Sequence, residues 1–373
     1  MGDPGGLAVT SQSPHLPPAP LIPLFSVWPR LASGLPRWPL GCWPTPVLEA
    51  GRFAHAHRLA SFHIKREDLS HPGCGGNKVR GLEFLLAEAE RRGARRLLTV
   101  AAAGSYHVVC TAFHAHPLGM GVTALVLPQP ASPRVADNLL RGVELGVEYV
   151  PAGYATVLPL LTARWLSESA RRSRWHFIPP GGTSSLACVG HVNAALELRA
   201  QVEAGLLPEP DFLFVPLGSL GTAAGLALGL RLARLRTRIV GIVVASRWYA
   251  TAARWARLSR RTLRRLQWHH AAVPDVVVRP GDVSVEATAL GAGYGHRLPD
   301  ADPLVGQMRA LEGVELDNTY TAKALWGALR FIHRHGLESR RHLFWHTCQA
   351  NRRPADPRLA DRLPQRLRLY LEG

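Results

Sequence analysis

The chain reads, from residue 74 to residue 85, Cys74-Gly75-Gly76-Asn77-Lys78-Val79-Arg80-Gly81-Leu82-Glu83-Phe84-Leu85. The Gly-Gly-Asn segment predicts a flexible approach that ends in a helix cap. Apolar residues then recur at helical spacing as far as Gly93, a natural helix end. The stretch therefore predicts a loop-to-helix junction, with Lys78 in the first helical turn and its amine able to face a cleft.

Lysine is rare in this chain. Of its 44 Lys and Arg residues, only Lys65, Lys78 and Lys323 are lysines. Arginine serves equally well as a solvated charge, but its guanidinium keeps its proton, whereas a buried lysine can become a neutral amine and form a Schiff base. The composition therefore favours a chemical role for a surviving lysine, and the junction makes Lys78 the candidate. The alternative is that three lysines simply remain from a drift towards arginine.

Short apolar runs alternate with longer amphipathic stretches along the chain. This alternation predicts parallel sheets covered by helices on both faces, an α/β fold. The predicted strands are 62–65, 97–101, 123–127, 147–150, 175–178, 212–216, 238–245 and 342–345. The predicted helices include 132–145, 186–204, 222–235 and 322–335.

Length and composition describe a globular protein large enough for two packed lobes. The chain has 373 residues, 47% of them apolar and 19% charged. Five cysteines form no CxxC pair, which predicts a reducing, cytoplasmic compartment without zinc or disulfides. No apolar run is long enough to predict a membrane span. Residues 1–34 are rich in Pro, Gly and Ser, lack the pattern of a signal peptide, and are predicted to form a disordered extension.

The net charge of +17 raises the alternative of a nucleic-acid-binding protein. The arginines are spread along the chain, however, and no recognition module surrounds the densest group, so a solvated helix face is the better interpretation. That group consists of Arg254, Arg257, Arg260, Arg261, Arg264 and Arg265. The histidines show no convincing metal-ligand spacing, and no metal site is predicted.

A further segment, Ile64-Lys65-Arg66-Glu67-Asp68-Leu69, precedes the junction. The two segments together resemble the pyridoxal-phosphate-dependent family of D-cysteine desulfhydrase and 1-aminocyclopropane-1-carboxylate deaminase. The similarity continues in order from about Leu35 to Leu343-Phe344-Trp345-His346-Thr347. It implies a tryptophan-synthase-β-like fold in which Lys78 holds pyridoxal 5'-phosphate covalently.

A second candidate site follows the apolar run 212–216 and reads Gly218-Ser219-Leu220-Gly221-Thr222. Small residues that open a helix allow backbone N–H groups to approach a phosphate at the positive end of the helix dipole. A tight strand-to-helix turn is the alternative, because the segment matches neither a P-loop nor a GxGxxG motif. The segment is similar to the family's phosphate-binding loop, although Leu220 replaces the usual glycine.

The segment Gly104-Ser105-Tyr106 matches the family's substrate loop. The resemblance implies that Ser105 faces the substrate carboxylate; taken alone, Ser105 predicts only a helix N-cap. The family usually has glutamine at position 104. At position 106 it has asparagine, which contacts the 3-hydroxyl of the cofactor. Tyr106 is therefore expected either to stack on the cofactor ring or to intrude on the substrate pocket.

Two tyrosine-bearing segments, around Tyr294 and Tyr320, match segments that line the family's active site. Thr321 lies where deaminases have a glutamate and desulfhydrases a threonine. A hydroxyl beside the pyridine nitrogen favours β-elimination over ring opening, because a carboxylate would keep that nitrogen protonated. Thr347 resembles a second hydroxyl near that nitrogen, but the following Cys348-Gln349 replaces the family's Gly-Gly. Lys323 is assigned no catalytic role.

The resemblance implies a large cofactor-binding domain, 35–78 plus 181–373, and a small domain, 79–180. It also implies a homodimer that acts on a small amino acid, with Lys78, Ser105, Tyr294 and Tyr320 as catalytic residues. The predicted activity is β-elimination or deamination of D-cysteine or a related D-amino acid to a keto acid and ammonia. A 1-aminocyclopropane-1-carboxylate-type deaminase, an amino-acid racemase, and a cofactor-binding protein without turnover are the alternatives.

Overall fold

The computed structural model describes residues 22–161, 163, 174–349 and 354–372. In this part of the chain the strands form two sheets. The strands are β1 Val47–Glu49, β2 Ser61–Arg66, β3 Arg96–Ala102, β4 Gly121–Leu127, β5 Glu148–Pro151, β6 Trp175–Ile178, β7 Phe212–Leu217, β8 Arg238–Val243, β9 Val283–Glu286 and β10 Arg341–His346.

The principal helices of the described residues alternate with these strands. They are α1 Pro23–Val27, α2 Leu31–Gly34, α3 Gly51–Ala56, α4 Lys78–Arg91, α5 Tyr106–Ala115, α6 Pro133–Glu144, α7 Ala187–Glu203, α8 Gly221–Leu232, α9 Ala252–His269, α10 Asp302–Glu312, α11 Thr321–Arg334 and α12 Gln365–Arg368. The predicted alternation is confirmed, with element ends displaced by at most three residues. None of these helices is long and apolar enough to cross a bilayer.

The larger sheet has the strand order β1-β2-β10-β7-β8-β9 and is parallel except for β1. Its central strands are buried on both faces. In β7, Leu213 and Val215 belong to the apolar core shared with α7, α8 and α9, whereas Phe212 and Phe214 pack towards α3, α10 and α11. Such continuous burial is characteristic of parallel strands covered by helices on both sides.

The smaller sheet has the order β5-β4-β3-β6 and is parallel throughout. All four of its strands lie between residues 96 and 178, and the six strands of the larger sheet lie outside that interval. This arrangement is compatible with the predicted discontinuous domains, whose boundaries stay a prediction.

The structure differs from the sequence prediction at residues 22–34. This segment forms α1 and α2, because the side chains of Leu24 and Leu31 are fully buried against the rest of the protein. The backbone N–H of Leu24 also donates to Asn193 Oδ1 of α7 at 3.0 Å. The spacing of these leucines within a Pro-rich stretch was the available signal. Residues 1–21 lie outside the described part of the chain.

A buried ion cluster connects β2, α4 and α7. Arg80, two residues after Lys78, donates to both carboxylate oxygens of Glu67 at 2.6 and 2.7 Å. It donates equally to both oxygens of Glu197 at 2.9 and 3.0 Å. Lys65 donates to Glu197 at 2.6 Å and to Gln201 at 2.7 Å. Two cations thus balance two carboxylates, and the cluster fixes the first turn of α4.

The first prediction concerns this cluster. Replacement of Arg80 by methionine leaves Glu67 buried without a cation, so we expect a loss of about 3–5 kcal/mol in the free energy of unfolding. Arg91→Ala, which removes an exposed salt bridge with Glu88 on the same helix, is the matched control and should lower the free energy of unfolding far less, because exposed ion pairs contribute little. Urea denaturation of both variants measures the difference. Equal stability of the two variants would contradict the assigned role of the cluster.

Candidate active site

A cavity of about 540 Å³ lies at the carboxyl ends of parallel strands from both sheets. The segments that line it follow β3, β4, β6, β7, β8 and β10 directly. This edge is where open parallel α/β sheets place ligands, because loops and helix N-termini converge there. The cavity brings together Lys78, Ser105, Tyr106, Tyr294, Tyr320, Thr347 and the whole segment from Gly218 to Thr222.

Lys78 is the first residue of α4 and extends its amine into this cavity. The preceding turn needs glycine at position 76, where φ is +101° and a Cβ would lie 3.1 Å from the Thr347 carbonyl oxygen. Lys78 Nζ donates to the Gly181 carbonyl oxygen at 3.0 Å. Burial lowers the pKa of the Lys78 ammonium to about 8, so a neutral amine is accessible near neutral pH.

The segment from Gly218 to Thr222 turns from β7 into α8. Leu220 adopts a left-handed φ of +71°, which explains why a glycine is usual at this position. A Cβ at Gly221 would lie 2.9 Å from Thr183 Oγ1, and one at Gly218 would lie 3.1 Å from the Tyr320 ring. The first N–H groups of α8 have no partner within the helix and lie at the cavity, a suitable arrangement for an anion.

Hydroxyl and amide groups surround this turn. Thr183 Oγ1 donates to Ser219 Oγ at 2.6 Å, and Asn77 Nδ2 donates to Thr222 Oγ1 at 2.7 Å. Asn77, the residue before Lys78, therefore connects the lysine junction to the turn. No lysine or arginine belongs to the turn itself, so an anion bound there would be held by neutral donors and by the dipole of α8.

Ser105 is the N-cap residue of α5 and lines the cavity. Close packing requires glycine at position 104, since a Cβ there would lie 2.6 Å from Val135 Cγ2 of α6. The glutamine that is usual in the family would collide with α6 in this chain. Asn138 Nδ2, also of α6, donates to the Gly104 carbonyl oxygen at 2.7 Å, so that α6 holds the loop.

Tyr106 lines the cavity, but its hydroxyl is engaged elsewhere. That hydroxyl donates to the Gly75 carbonyl oxygen at 2.9 Å and lies 2.8 Å from Cys74 Sγ. Tyr106 therefore ties α5 to the loop that carries Lys78. The sequence predicted stacking on the cofactor or intrusion into the pocket, and gave no sign of this bond.

Cys74 also belongs to a buried group with Cys110 and His114, whose possible ligand atoms lie within 4.8 Å of one another. Cys110 and His114 are one helical turn apart on α5, a relation that the sequence interpretation overlooked when it found no cysteine at a suitable spacing. Burial raises the pKa of Cys110 well above its ordinary value, and His114 interacts with the Cys74 carbonyl oxygen at 3.1 Å. The group packs α5 against the loop before Lys78.

Tyr294 and Tyr320 form a pair at the cavity. Their hydroxyl oxygens are 3.2 Å apart and their rings meet edge to face. Burial raises the pKa of both phenols, so both remain protonated at neutral pH. Lys323 is buried beneath them and donates to the Leu290 and Gly293 carbonyl oxygens at 3.0 and 2.9 Å. Lys323 thereby holds the loop of Tyr294, a role that sequence interpretation missed.

Thr321 is buried at the start of α11 and is not among the residues that line the cavity. Its hydroxyl donates to Asp317 Oδ2 at 2.9 Å. The assignment of Thr321 to the pyridine nitrogen stays a prediction. Asp317, which the sequence did not single out, lines the cavity. Burial raises its pKa, but Arg134 and hydrogen bonds from Thr321 and the Tyr320 backbone outweigh burial, and the pKa is lowered overall.

Thr347 follows β10 and lines the cavity together with Cys348 and Gln349. The two residues that replace the family's Gly-Gly are buried here. Gln349 Nε2 donates to the Gly73 carbonyl oxygen at 3.1 Å, and Arg134 donates to Cys348 Sγ at 3.1 Å. The replacements are therefore matched by partners in neighbouring loops. Arg134 was not singled out by sequence interpretation.

The family described as pyridoxal-phosphate dependent enzyme matches residues 39–347. The chain belongs to this family. It is similar to the nocardicin C-9' epimerase of Nocardia uniformis, with 36% identity over 318 residues, 84% of this chain and 92% of the relative. It is 33% identical to the D-cysteine desulfhydrase of Yersinia enterocolitica over 273 residues, 72% of this chain and 79% of the relative.

A crystal structure of a homologue of 1-aminocyclopropane-1-carboxylate (ACC) deaminase superimposes with a TM-score of 0.73 at 28% identity, covering 89% of this chain and 95% of that chain. These similarities confirm the predicted fold, the enzyme class and pyridoxal phosphate as the cofactor. The D-cysteine desulfhydrases and putative 1-aminocyclopropane-1-carboxylate deaminases among its relatives act, as their names state, on small amino acids.

The residues of the cavity fit this cofactor. Pyridoxal phosphate carries an aldehyde, which requires a lysine amine, and a phosphate, which suits the N-terminus of α8. Lys78 provides an amine with a lowered pKa, and the glycines at 218 and 221 leave room where a side chain would fill the turn. His107, beside Lys78, is neutral because burial lowers its pKa to about 3, and its Nε2 has no hydrogen-bond partner among the described residues.

The second prediction tests the turn at α8. Gly221→Asp introduces a side chain against Thr183 and a negative charge beside the expected phosphate, so retention of pyridoxal phosphate should be lost. Gly306→Asp is the matched control, because a Cβ at Gly306 of α10 meets no atom within 4 Å. Absorbance of the bound cofactor after gel filtration gives the result, and circular dichroism checks the fold. A folded Gly221→Asp variant with a full complement of cofactor would contradict this role.

Proposed function

We propose that the chain catalyses β-elimination from a D-amino acid with a leaving group on Cβ, releasing a keto acid and ammonia. The observation that carries the proposal is the placement in one cavity of an amine with a pKa of about 8 and a pair of protonated phenols. A base for the Cα proton and an acid for the leaving group are the two groups that this reaction needs. The D-cysteine desulfhydrase relatives support the same choice.

In this proposal Lys78 binds pyridoxal phosphate as a Schiff base, and the turn from Gly218 to Thr222 binds its phosphate. Bound there, the cofactor withdraws electrons from Cα of the substrate. The hydroxyl of Ser105 and the free N–H groups at the start of α5 bind the α-carboxylate. Once the substrate amine has displaced Lys78 from the cofactor, the freed amine of Lys78 would remove the Cα proton, as a neutral amine can do at neutral pH.

The Tyr294–Tyr320 pair completes the reaction. The Cβ bond to the leaving group breaks as the Cα proton is removed, and the leaving group takes a proton from a phenol. Water then hydrolyses the unsaturated product to a keto acid and ammonia. Because burial keeps both phenols protonated, and because Lys323 fixes the Tyr294 loop, this pair can donate to the leaving group without prior ionisation.

Epimerisation at Cα is the second candidate function, and the nocardicin C-9' epimerase relative favours it. The same removal of the Cα proton by Lys78 would then be followed by return of a proton to Cα and not by loss of a group from Cβ. Ser105, which lines the cavity, would donate that proton.

We further infer a cytoplasmic homodimer with a large domain of 35–78 plus 181–373 and a small domain of 79–180. The five cysteines are free thiols, as a reducing compartment requires. Trp248 is 79% exposed, and such aromatic surface is suited to a second copy of the chain. The exposed arginines of α9 lie beside Trp268 and support a solvated face.

The third prediction tests Lys78. Borohydride reduction of the cofactor-loaded protein, followed by peptide mapping, should place the adduct on Lys78 and leave Lys65 and Lys323 unmodified. The rate of covalent loading of the apoprotein should rise with pH through about 8, because only the deprotonated amine adds to an aldehyde and its fraction increases above the pKa. An adduct on another lysine, or a loading rate independent of pH between 6 and 10, would refute the assignment.

The fourth prediction separates the two candidate functions. D-Cysteine and related D-amino acids, incubated with the holoenzyme in deuterium oxide, should release a keto acid in step with loss of substrate. Lys78→Ala should abolish this release. Keto-acid assay and mass spectrometry of the remaining substrate provide the measurement. Deuterium at Cα with inversion and no keto acid would instead establish epimerisation. If no amino acid tested gives either result, both candidate functions are refuted.

A further inference from the structure

Arg134 stands at the boundary between two cavities. It lies in the first turn of α6 and lines the cavity of Lys78. It also lines a second, more open cavity of about 890 Å³, which does not include Lys78 or Ser105. The two cavities share Arg134, Cys348 and Gln349. A molecule bound beside Lys78 would therefore meet Arg134 where the site opens into the second cavity.

The guanidinium of Arg134 has donors to spare. Among the described residues it makes one hydrogen bond, to Cys348 Sγ, which is a weak acceptor, and it forms no salt bridge. Asp317 is the carboxylate that acts on it electrostatically, but both oxygens of Asp317 already accept bonds from residues 319–321. An arginine carries five N–H donors, so the remaining ones face the cavities.

The second cavity adds further positive charge that is already paired. Arg141 binds Asp137 at 2.9 Å, and Arg309 binds Glu315 at 2.8 Å. Arg134 is thus the arginine of this wall without a carboxylate partner among the described residues. A planar guanidinium with spare donors at a cavity wall is suited to bidentate recognition of a carboxylate or a similar anion.

We propose that Arg134 binds a second anionic group at the far end of the substrate side chain, so that the enzyme acts on an amino acid longer and more acidic than cysteine. The inference rests on the proposed function only in placing Cα of the substrate at Lys78. The α-carboxylate has its own site at Ser105 and the start of α5. The distal group extends from Cβ towards Cys348, where this chain replaces the family's Gly-Gly, and the second cavity accommodates the remaining length.

The fifth prediction uses two substrates of nearly equal shape. S-(Carboxymethyl)-D-cysteine carries a distal carboxylate, and S-(carbamoylmethyl)-D-cysteine carries a neutral amide in its place. Wild-type holoenzyme should prefer the acid by about 10- to 100-fold in kcat/KM, the usual range for one charge-assisted hydrogen-bonded pair. Arg134→Gln should abolish the preference by slowing the acid alone, and Arg134→Lys should retain part of it.

Arg309→Gln is the control, since it removes a cation from the second cavity that is already paired, and it should keep the wild-type preference. Equal rates with acid and amide in the wild type would overturn the proposal. So would an unchanged ratio in Arg134→Gln, including a uniform loss on both substrates, which would place Arg134 at the α-carboxylate. If neither compound undergoes elimination or exchange of its Cα proton, the proposed function is refuted, but the role of Arg134 is still open to test. In that case calorimetry measures the affinity of the holoenzyme for each of the two compounds. If neither compound binds, or if both bind equally well, the proposed role of Arg134 is refuted.

Discussion

The site depends on one buried ion cluster. Arg80 follows Lys78 by two residues and is held through both of its edges by Glu67 and Glu197. Glu67 follows β2 and Glu197 lies on α7, so the start of α4 is fixed simultaneously to the sheet and to a covering helix. Breaking such a pair leaves a bare charge in the interior, whereas the intact cluster is neutral. The direction in which Lys78 leaves α4 is therefore set by charges that take no part in chemistry.

The rarity of lysine pointed to a residue that lines the cavity, but for an incomplete reason. All three lysines are substantially buried. Lys65 belongs to the ion cluster, Lys323 binds two carbonyl oxygens, and Lys78 faces the cavity. At the first two positions the compact ammonium matters, because the wider guanidinium would not fit among closely placed acceptors. Composition therefore selected buried lysines in general, and only the Gly-Gly-Asn junction distinguished the lysine that faces the cavity from the two that bind other protein groups.

The pattern of apolar residues was sufficient to predict most of the strands and helices, since parallel strands buried on both faces form continuous apolar runs. It was not sufficient for β1 and β9, which are short and partly exposed, or for α1 and α2 within a Pro-rich stretch. The candidate site residues were predicted from their positions in sequence motifs. Contacts between motifs were invisible, because Val135 against Gly104 and Arg134 against Cys348 join segments that no local pattern relates.

These contacts bear on whether the altered motifs belong to a working site. Gly104 makes room for Val135, Tyr106 bonds to the loop before Lys78, and Cys348 accepts from Arg134. Each departure from the family is thus matched by a partner, while the cavity stays open and the Lys78 amine keeps its lowered pKa. A site without turnover would not need to keep a Schiff-base lysine at an open cavity. We therefore propose that the pocket accepts a different amino acid.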